Sequence, residues 1–146
     1  VAKGAINIHM GASPYYRGNS CNFWPLFDGK PEYVGATIHL LSKGLDSGSI
    51  IFHALPETDA FDSFTLGMKA VESAQLGLAE WLTSGKIDAA VPVKQDPAME
   101  LRYTRAKDFN EDIVLEFENK RPSPSQIFKS LSNRNLDKFI NPYIPQ

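Results

Sequence analysis

The longest regular pattern in the chain runs from Asp62 to Gly85 and has the spacing of an amphipathic helix. Asp62 is of a type that caps helix N-termini, and Gly85 is of a type that follows a last helical turn. The pattern predicts a helix over about residues 63–84. The apolar residues that recur at helical spacing along it are Phe64, Met68, Val71, Leu78 and Leu82.

Three short apolar segments before this helix have the composition of strands. They are GAINIH at 4–9, VGATIHLLS at 34–42 and GSIIFHALP at 48–56. The last two are joined by KGLDS, so we expect a hairpin-like pair with a wide loop. A short helix that Pro25 shortens or kinks is predicted between the first and second strands.

The character of the chain changes after Gly85. Residues 86–104 carry two prolines and short apolar pairs, which predicts extended segments and turns. Two weaker helical patches follow, at 106–119 and at 123–131. We therefore divide the chain into residues 1–85, which carry the main α/β pattern, and a small C-terminal extension, residues 86–146.

Composition excludes several classes of protein. At 146 residues and 42% hydrophobic content, one ordinary core is expected. A net charge of -2 without a run of like charges gives no reason to expect a nucleic acid or a membrane surface as partner. Cys21 is the one cysteine, which excludes an internal disulfide and a Cys-based metal site. We expect a soluble, cytoplasmic protein.

Asn7 and His9 point to the same face of the first strand because side chains alternate along a strand. Both groups can donate hydrogen bonds to an oxyanion. Taken alone, the pair is more often found satisfying backbone groups at a strand end. Asp46 lies in the loop between Gly44 and Gly48, where an acid is usually a turn residue. Sequence spacing leaves open whether Asp46 approaches His9.

The other candidate residues have simpler interpretations. His39 and His53 lie in apolar strands and are interpreted as core or strand-edge histidines, and the three histidines lack a zinc-binding spacing. No metal is therefore assigned. Cys21 is interpreted as a small buried residue, since no acid-base pair accompanies it. The glycines of GLDSGS lack the strand-to-helix context of a phosphate-binding loop.

An aromatic and cationic group surrounds the loop that follows His9. Its members are Tyr15, Tyr16, Arg17 and Trp24, with Phe27 nearby. The rings could stack on a sugar or a base, and Arg17 could meet a phosphate. Packing around the short helix, with Arg17 in solvent, is an equally good interpretation.

The order of several motifs resembles the formyltetrahydrofolate-dependent formyltransferases. INIHMGASPYYRG, the DG at 28–29, GATIHLLSKGLDSGSIIF and the helix from Asp62 follow one another as in the second half of that family's catalytic domain. The resemblance covers residues 1 to about 85. It implies the second half of a Rossmann-like α/β domain in a longer enzyme. Without the first half, which carries part of the folate pocket, this chain alone is expected to be inactive.

The resemblance also implies a chemistry. Asn7, His9 and Asp46 match the family's catalytic trio, and Gly44 and Leu45 match positions that contact the folate. The implied co-substrate is 10-formyltetrahydrofolate, and no metal takes part. A substrate amine attacks the formyl carbon, Asn7 and a charged His9 stabilise the oxyanion, and Asp46 keeps His9 charged and helps to remove the amine proton.

The acceptor of the formyl group is less well defined. Met10 to Ser13 and Trp24-Pro25 depart from the family pattern on its acceptor side. Residues 86–146 hold ten Lys+Arg and nine Asp+Glu, a net charge of +1 (10 − 9), which is little for binding tRNA. The aromatic loop and the extension are most like sugar-nucleotide N-formyltransferases.

Alternative functions stay open at this point. They are a methionyl-tRNA or glycinamide ribonucleotide formyltransferase, a formyltetrahydrofolate hydrolase, and an inactive fragment with a role in interaction. The expected partners are small molecules, namely folate and an amino sugar nucleotide, together with a second copy of the chain in a homodimer.

Overall fold

The computed structural model describes residues 4–44 and 46–146, and contains two small sheets and five α-helices within those residues. The strands are β1 Ile6–His9, β2 Tyr16–Gly18, β3 Ala36–Leu40, β4 Ile50–Ala54 and β5 Arg102–Thr104. The helices are α1 Trp24–Phe27, α2 Ser63–Thr83, α3 Lys86–Ala89, α4 Glu111–Lys120 and α5 Pro124–Ser132. The mixed α/β class predicted from the sequence is confirmed.

The main sheet has the order β1-β3-β4, and both of its pairs are antiparallel. The hairpin-like pairing of β3 with β4 is thus confirmed. In the register of β1 with β3, Asn7 lies opposite His39 and His9 lies opposite Thr37. A bulge between Ile38 and His39 shifts the pairing of β3 with β4. Polar residues of two strands therefore meet at one end of the sheet.

Helix α2 matches the prediction within one residue at its C-terminal end. The Asp62 carboxylate caps it by accepting a hydrogen bond from the Thr65 amide at 2.7 Å. The side chains that α2 buries are mostly small: Leu66, Ala70, Ser73, Ala74 and Gly77. The large residues Phe64 and Met68 are 76% and 50% exposed. Small side chains let the helix lie close to β3 and β4.

Residues 86–146 pack into the same core as the preceding part of the chain. Strand β5 pairs in parallel with β2, and Phe139 joins a buried cluster with Tyr15 and Trp24. Phe117 of α4 and Leu131 of α5 join a second cluster beneath α2. The extension thus shares buried clusters with the preceding part of the chain and has no core of its own among the described residues.

The two helical patches of the extension form α4 and α5, as predicted. Asn110 caps α4 and Ser123 caps α5 through side-chain oxygens that accept backbone hydrogen bonds. No helix within 4–44 or 46–146 is long and apolar enough to cross a bilayer.

Candidate active site

Three of the residues singled out from the sequence meet at the end of β1. His9 Nδ1 lies 3.1 Å from Asp46 Oδ2, and Asn7 Nδ2 donates a hydrogen bond to Asp46 Oδ1 at 3.4 Å. Strand β1 presents the amide and the imidazole, and the loop between β3 and β4 returns the carboxylate to them. The sequence left open whether Asp46 approaches His9, and in the structure the two side chains are in contact.

A fourth residue, His39, belongs to the same cluster. Its Nδ1 donates to the Leu40 carbonyl at 2.8 Å, and Nε2 accepts from Asn7 Nδ2 at 3.3 Å. The same Nε2 lies 3.7 Å from Asp46 Oδ1. Sequence analysis interpreted His39 as a core or strand-edge histidine. Its side chain is 1% exposed, so it is both a buried residue and a partner of Asn7.

The electrostatics of His9 depend on two opposing effects. Burial lowers the pKa of His9, while the carboxylate of Asp46 and the hydrogen bond to the Tyr16 carbonyl raise it. Burial is the larger effect, so the pKa of His9 lies below its usual value. The imidazole is therefore mostly neutral near pH 7, with Asp46 placed to stabilise it once it gains a proton. The lowered pKa of His9 differs from the sequence-based expectation that Asp46 keeps this ring charged.

The loop that follows His9 is fixed by side chains of the sheet. Thr37 Oγ1 accepts from the Ser13 amide at 2.9 Å and donates to the Gly11 carbonyl at 2.6 Å. His53 Nε2 donates to the Ser13 carbonyl at 2.7 Å, because its Nδ1 accepts from the Ile140 amide at 2.9 Å. The loop beside the site is thus tied to β3, to β4 and to the C-terminal segment.

His53 gives a prediction about pH. Burial lowers the pKa of His53 to about 4, so the unfolded chain binds this proton more readily than the folded chain. The free energy of unfolding should therefore fall by up to about 1.4 kcal/mol per pH unit as the pH drops from 6.5 towards the folded pKa. Urea unfolding at pH 7.0, 6.0 and 5.0 measures this slope. The variant His53→Gln should have a shallower slope, and an equal slope in both proteins would contradict the assignment.

The residues predicted to contact the formyl acceptor lie in different surroundings from Asn7, His9 and Asp46. Tyr15, Tyr16 and Trp24 are 4%, 1% and 2% exposed, and their rings contact other side chains of the protein. The Arg17 guanidinium lies 3.4 Å from the Glu100 carboxylate. Tyr15, Tyr16 and Trp24 are thus packing residues in this structure, which is one of the two interpretations that the sequence left open.

Asp28 and Arg102 hold part of this aromatic cluster together. Arg102 binds Asp28 through two hydrogen bonds, of 2.6 Å from an Nη atom and 3.0 Å from Nε, and its guanidinium lies 4.6 Å from the centre of the Trp24 ring. The Tyr16 hydroxyl donates to Asp28 at 3.0 Å. Burial and the neighbouring carboxylate raise the pKa of Tyr16 far above its usual range. Tyr16 is therefore a hydrogen-bond donor and not a base.

The remaining candidate residues are Gly44, Leu45 and Cys21. Gly44 is exposed in the loop between β3 and β4, and Leu45 lies outside the described residues. Cys21 is buried, and burial raises the pKa of its thiol to about 12, which makes a thiolate nucleophile unfavourable. Over the described ranges, no group of three or more His, Cys, Asp or Glu side chains could hold a metal ion.

The fold and the cluster define an α/β protein with an asparagine, a histidine and an aspartate at a strand end. The formyl transferase family model matches residues 1–77, which is more than half of the chain. The chain therefore belongs to the formyl transferase family.

Individual relatives carry two kinds of name. Methionyl-tRNA formyltransferase of Anaeromyxobacter dehalogenans is 38% identical over 96 residues, which are 65% of this chain and 30% of the relative. GDP-perosamine N-formyltransferase of Brucella melitensis is 30% identical over 93 residues, which are 62% of this chain and 34% of the relative. The chain thus spans about a third of the length of the curated relatives that it matches.

Structural similarity extends further along the chain. The formyltransferase PseJ from Anoxybacillus kamchatkensis, solved with UDP-4,6-dideoxy-4-formamido-L-AltNAc and tetrahydrofolate, superposes with a TM-score of 0.65 at 20% identity. The superposition covers 87% of this chain and 66% of that one. At this identity the comparison establishes the shared fold, which continues past residue 85 into the C-terminal extension.

Proposed function

We propose that this chain is part of an enzyme that transfers the formyl group of 10-formyltetrahydrofolate to the amine of a nucleotide-linked amino sugar. The observation that carries the proposal is the contact of His9 Nδ1 with Asp46 beside the Asn7 amide. In this proposal residues 1–85 are the second half of the catalytic domain and residues 86–146 an extension that packs against it. The enzyme works in the cytoplasm, and a homodimer stays a prediction.

The proposed reaction begins with the neutral imidazole of His9. The amine nitrogen attacks the formyl carbon, a C–N bond forms, and the carbonyl oxygen becomes an oxyanion. With the one proton of neutral His9 held on Nδ1 by Asp46, Nε2 takes the proton released by the amine, and the Tyr16 carbonyl 3.4 Å from Nε2 then accepts a hydrogen bond from it. Asp46 then stabilises the imidazolium, as a carboxylate 3.1 Å away favours the charged ring.

Collapse of the intermediate completes the transfer. The bond between the formyl carbon and N10 of the folate breaks, and N10 receives the proton held by His9, so tetrahydrofolate leaves neutral at that nitrogen. Asn7 is the proposed donor to the oxyanion. Its present hydrogen bonds to His39 and Asp46 are long, at 3.3 and 3.4 Å, and one of them can be exchanged for the substrate oxygen.

Residues 4–44 and 46–146 contain groups that fit a folate co-substrate at this site. Asn7 supplies a donor for the formyl oxygen, His9 supplies a proton acceptor for the amine, and the exposed Gly44 lies in the loop that carries Asp46. Contacts of Gly44 and Leu45 with the folate stay a prediction. PseJ, which shares the fold, was solved with tetrahydrofolate, and this supports the same co-substrate here.

Two observations favour an amino sugar nucleotide as the acceptor. The similarity to GDP-perosamine N-formyltransferase is accompanied by a fold shared with PseJ along 87% of the chain. The extension has a net charge of only +1 (10 − 9), which gives little attraction for tRNA phosphates. Contacts of Tyr15, Tyr16, Arg17 and Trp24 with the acceptor stay a prediction, and for the three buried rings they require a change of conformation.

A second candidate acceptor is methionyl-tRNA. The observation that favours it is the identity of 38% to a methionyl-tRNA formyltransferase, against 30% to the GDP-perosamine enzyme. The two candidates share the same formyl-transfer chemistry and differ in what binds beside the loop that follows His9.

The test follows tetrahydrofolate release by the full-length protein. Incubation with 10-formyltetrahydrofolate and a panel of 3-amino and 4-amino sugar nucleotides should give release with at least one sugar. Charged initiator tRNA is offered in parallel, and an incubation without any amine measures hydrolysis. Release only with tRNA, or release without an amine, would contradict the proposed acceptor, and no release under any condition would contradict the proposed reaction.

A further inference from the structure

We propose that Gln95, in the C-terminal extension, is a positioning residue that holds the loop carrying Asp46 in place for the formyl transfer proposed above. Gln95 Nε2 donates one hydrogen bond to the Asp46 carbonyl and a second to the Gly48 carbonyl, each at 2.8 Å. Because both partners accept only, the nitrogen end of the side chain must face them. Gln95 lies 49 positions after Asp46 in the sequence, and these two hydrogen bonds hold the loop. The inference rests on the proposed function.

The backbone of the loop has an unusual conformation at one position and a close contact at another. Asp46 has a φ of +51°, in the left-handed region that residues other than glycine seldom adopt. Gly48 lies directly against the end of β3, where an added Cβ would be 1.6 Å from the Leu40 carbonyl oxygen. The side chains of Ser42 and Ser47 bond to each other at 3.1 Å, but this contact is exposed to water. Gln95 supplies a part-buried hydrogen bond to the Asp46 carbonyl and a buried one to the Gly48 carbonyl.

Gln95 is itself held firmly on both sides. Its side chain is 9% exposed. Two residues before it, Val93 exchanges both backbone hydrogen bonds with Ile50 of β4, at 2.7 and 2.8 Å. Directly after it, the Asp96 carboxylate accepts a hydrogen bond from the Ala98 amide at 3.0 Å and starts a short turn. Because Gln95 follows a residue that is paired with β4, its side chain fixes the loop relative to β4.

The position of the loop decides how Asp46 acts on His9. The charged or titratable groups that act on His9 are Asp46 from the loop, His39 from β3 and Arg17 from β2. Asp46 raises the pKa of His9, and the electrostatic effects of His39 and Arg17 lower it. If the loop moves away, the attraction weakens first, since it depends on a contact of 3.1 Å. The pKa of His9 therefore measures where the loop lies.

The test replaces Gln95 by methionine, which keeps the length of the side chain and removes both donors. With the full-length enzyme, kcat should fall about tenfold to a hundredfold because a displacement of about 1 Å at a catalytic group has an effect of that size. KM for the amine should stay within about twofold of the wild-type value. Lys94→Met is the matched control, since Lys94 is the exposed neighbour, and its kcat should equal that of the wild type.

A second readout separates positioning from simple destabilisation and does not need activity. NMR titration of His9 in Gln95→Met should give a pKa lower than in the wild type by about half a unit or more, because the carboxylate has moved. Gln95→Leu, a neutral side chain without a donor, should behave alike if the methionine variant is too unstable. An unchanged His9 pKa in these variants would overturn the inference even if the proteins were less stable. Failure of the proposed function appears instead as a wild-type enzyme that transfers no formyl group.

Discussion

Asp46→Asn should lower kcat for formyl transfer by about a thousandfold, within the range that acid–base groups contribute. The substitution keeps the size of the side chain and removes the negative charge that lies 3.1 Å from His9 Nδ1. Two effects follow from this loss. The imidazolium formed during the reaction is no longer stabilised, and the pKa of His9 falls further below its usual value because burial acts unopposed by the carboxylate.

The sign of the second effect can be checked in the same experiment. In the proposed mechanism activity requires neutral His9, so the acid limb of the pH–rate profile should follow the pKa of His9 and move to lower pH in Asp46→Asn. Asp88→Asn, at an exposed position of α3, is the control and should keep the wild-type rate and profile. A rate of Asp46→Asn within threefold of the wild type would show that the carboxylate takes no part in the reaction.

Gly18→Ala should lower the free energy of unfolding by about 3 kcal/mol, the combined effect of a left-handed φ and of steric overlap in a packed region. Gly18 has a φ of +95°, and an added Cβ would lie 1.9 Å from the Thr104 carbonyl oxygen. The Asn19 amide donates to that same oxygen at 2.9 Å. The substitution therefore separates β2 from β5 and loosens the extension from the rest of the molecule.

Gly29→Ala is the matched control for this prediction. Gly29 also has a positive φ, of +70°, but nothing lies within 4 Å of the Cβ that alanine would add. Its cost should be that of the backbone alone, about 1 kcal/mol. Urea unfolding of both variants measures the difference. Equal destabilisation of the two proteins would show that the overlap with the Thr104 carbonyl oxygen adds nothing to the effect of the substitution.

The elements that local sequence determines were predicted well. Helix α2 has its own capping residue, Asp62, and a helical period, so its bounds needed no knowledge of the rest of the fold. Strand alternation put Asn7 and His9 on one face. The sequence also indicated which side chains recur along α2, but Phe64 and Met68 are largely exposed because the close approach of the helix to the sheet favours its small residues.

The parts of the site that depend on contacts distant in sequence could not be predicted from the residues. Asp46 reaches His9 through the fold of an irregular loop, and the family resemblance alone suggested their association. His39 becomes a partner of Asn7 through the register of β1 with β3, a signal that was present once those two strands were paired. Gln95 left no signal, because its two acceptors are backbone carbonyls that any sequence would supply.

The most direct test of the central claim follows a labelled formyl carbon through a single turnover of the full-length enzyme. Carbon-labelled 10-formyltetrahydrofolate is mixed with the protein and with the amino sugar nucleotide that supports tetrahydrofolate release. The account predicts that the label moves to the amine nitrogen of the sugar in the wild type and stays on the folate in His9→Asn. Label recovered as formate, or transferred to the sugar at an equal rate by His9→Asn, would contradict it.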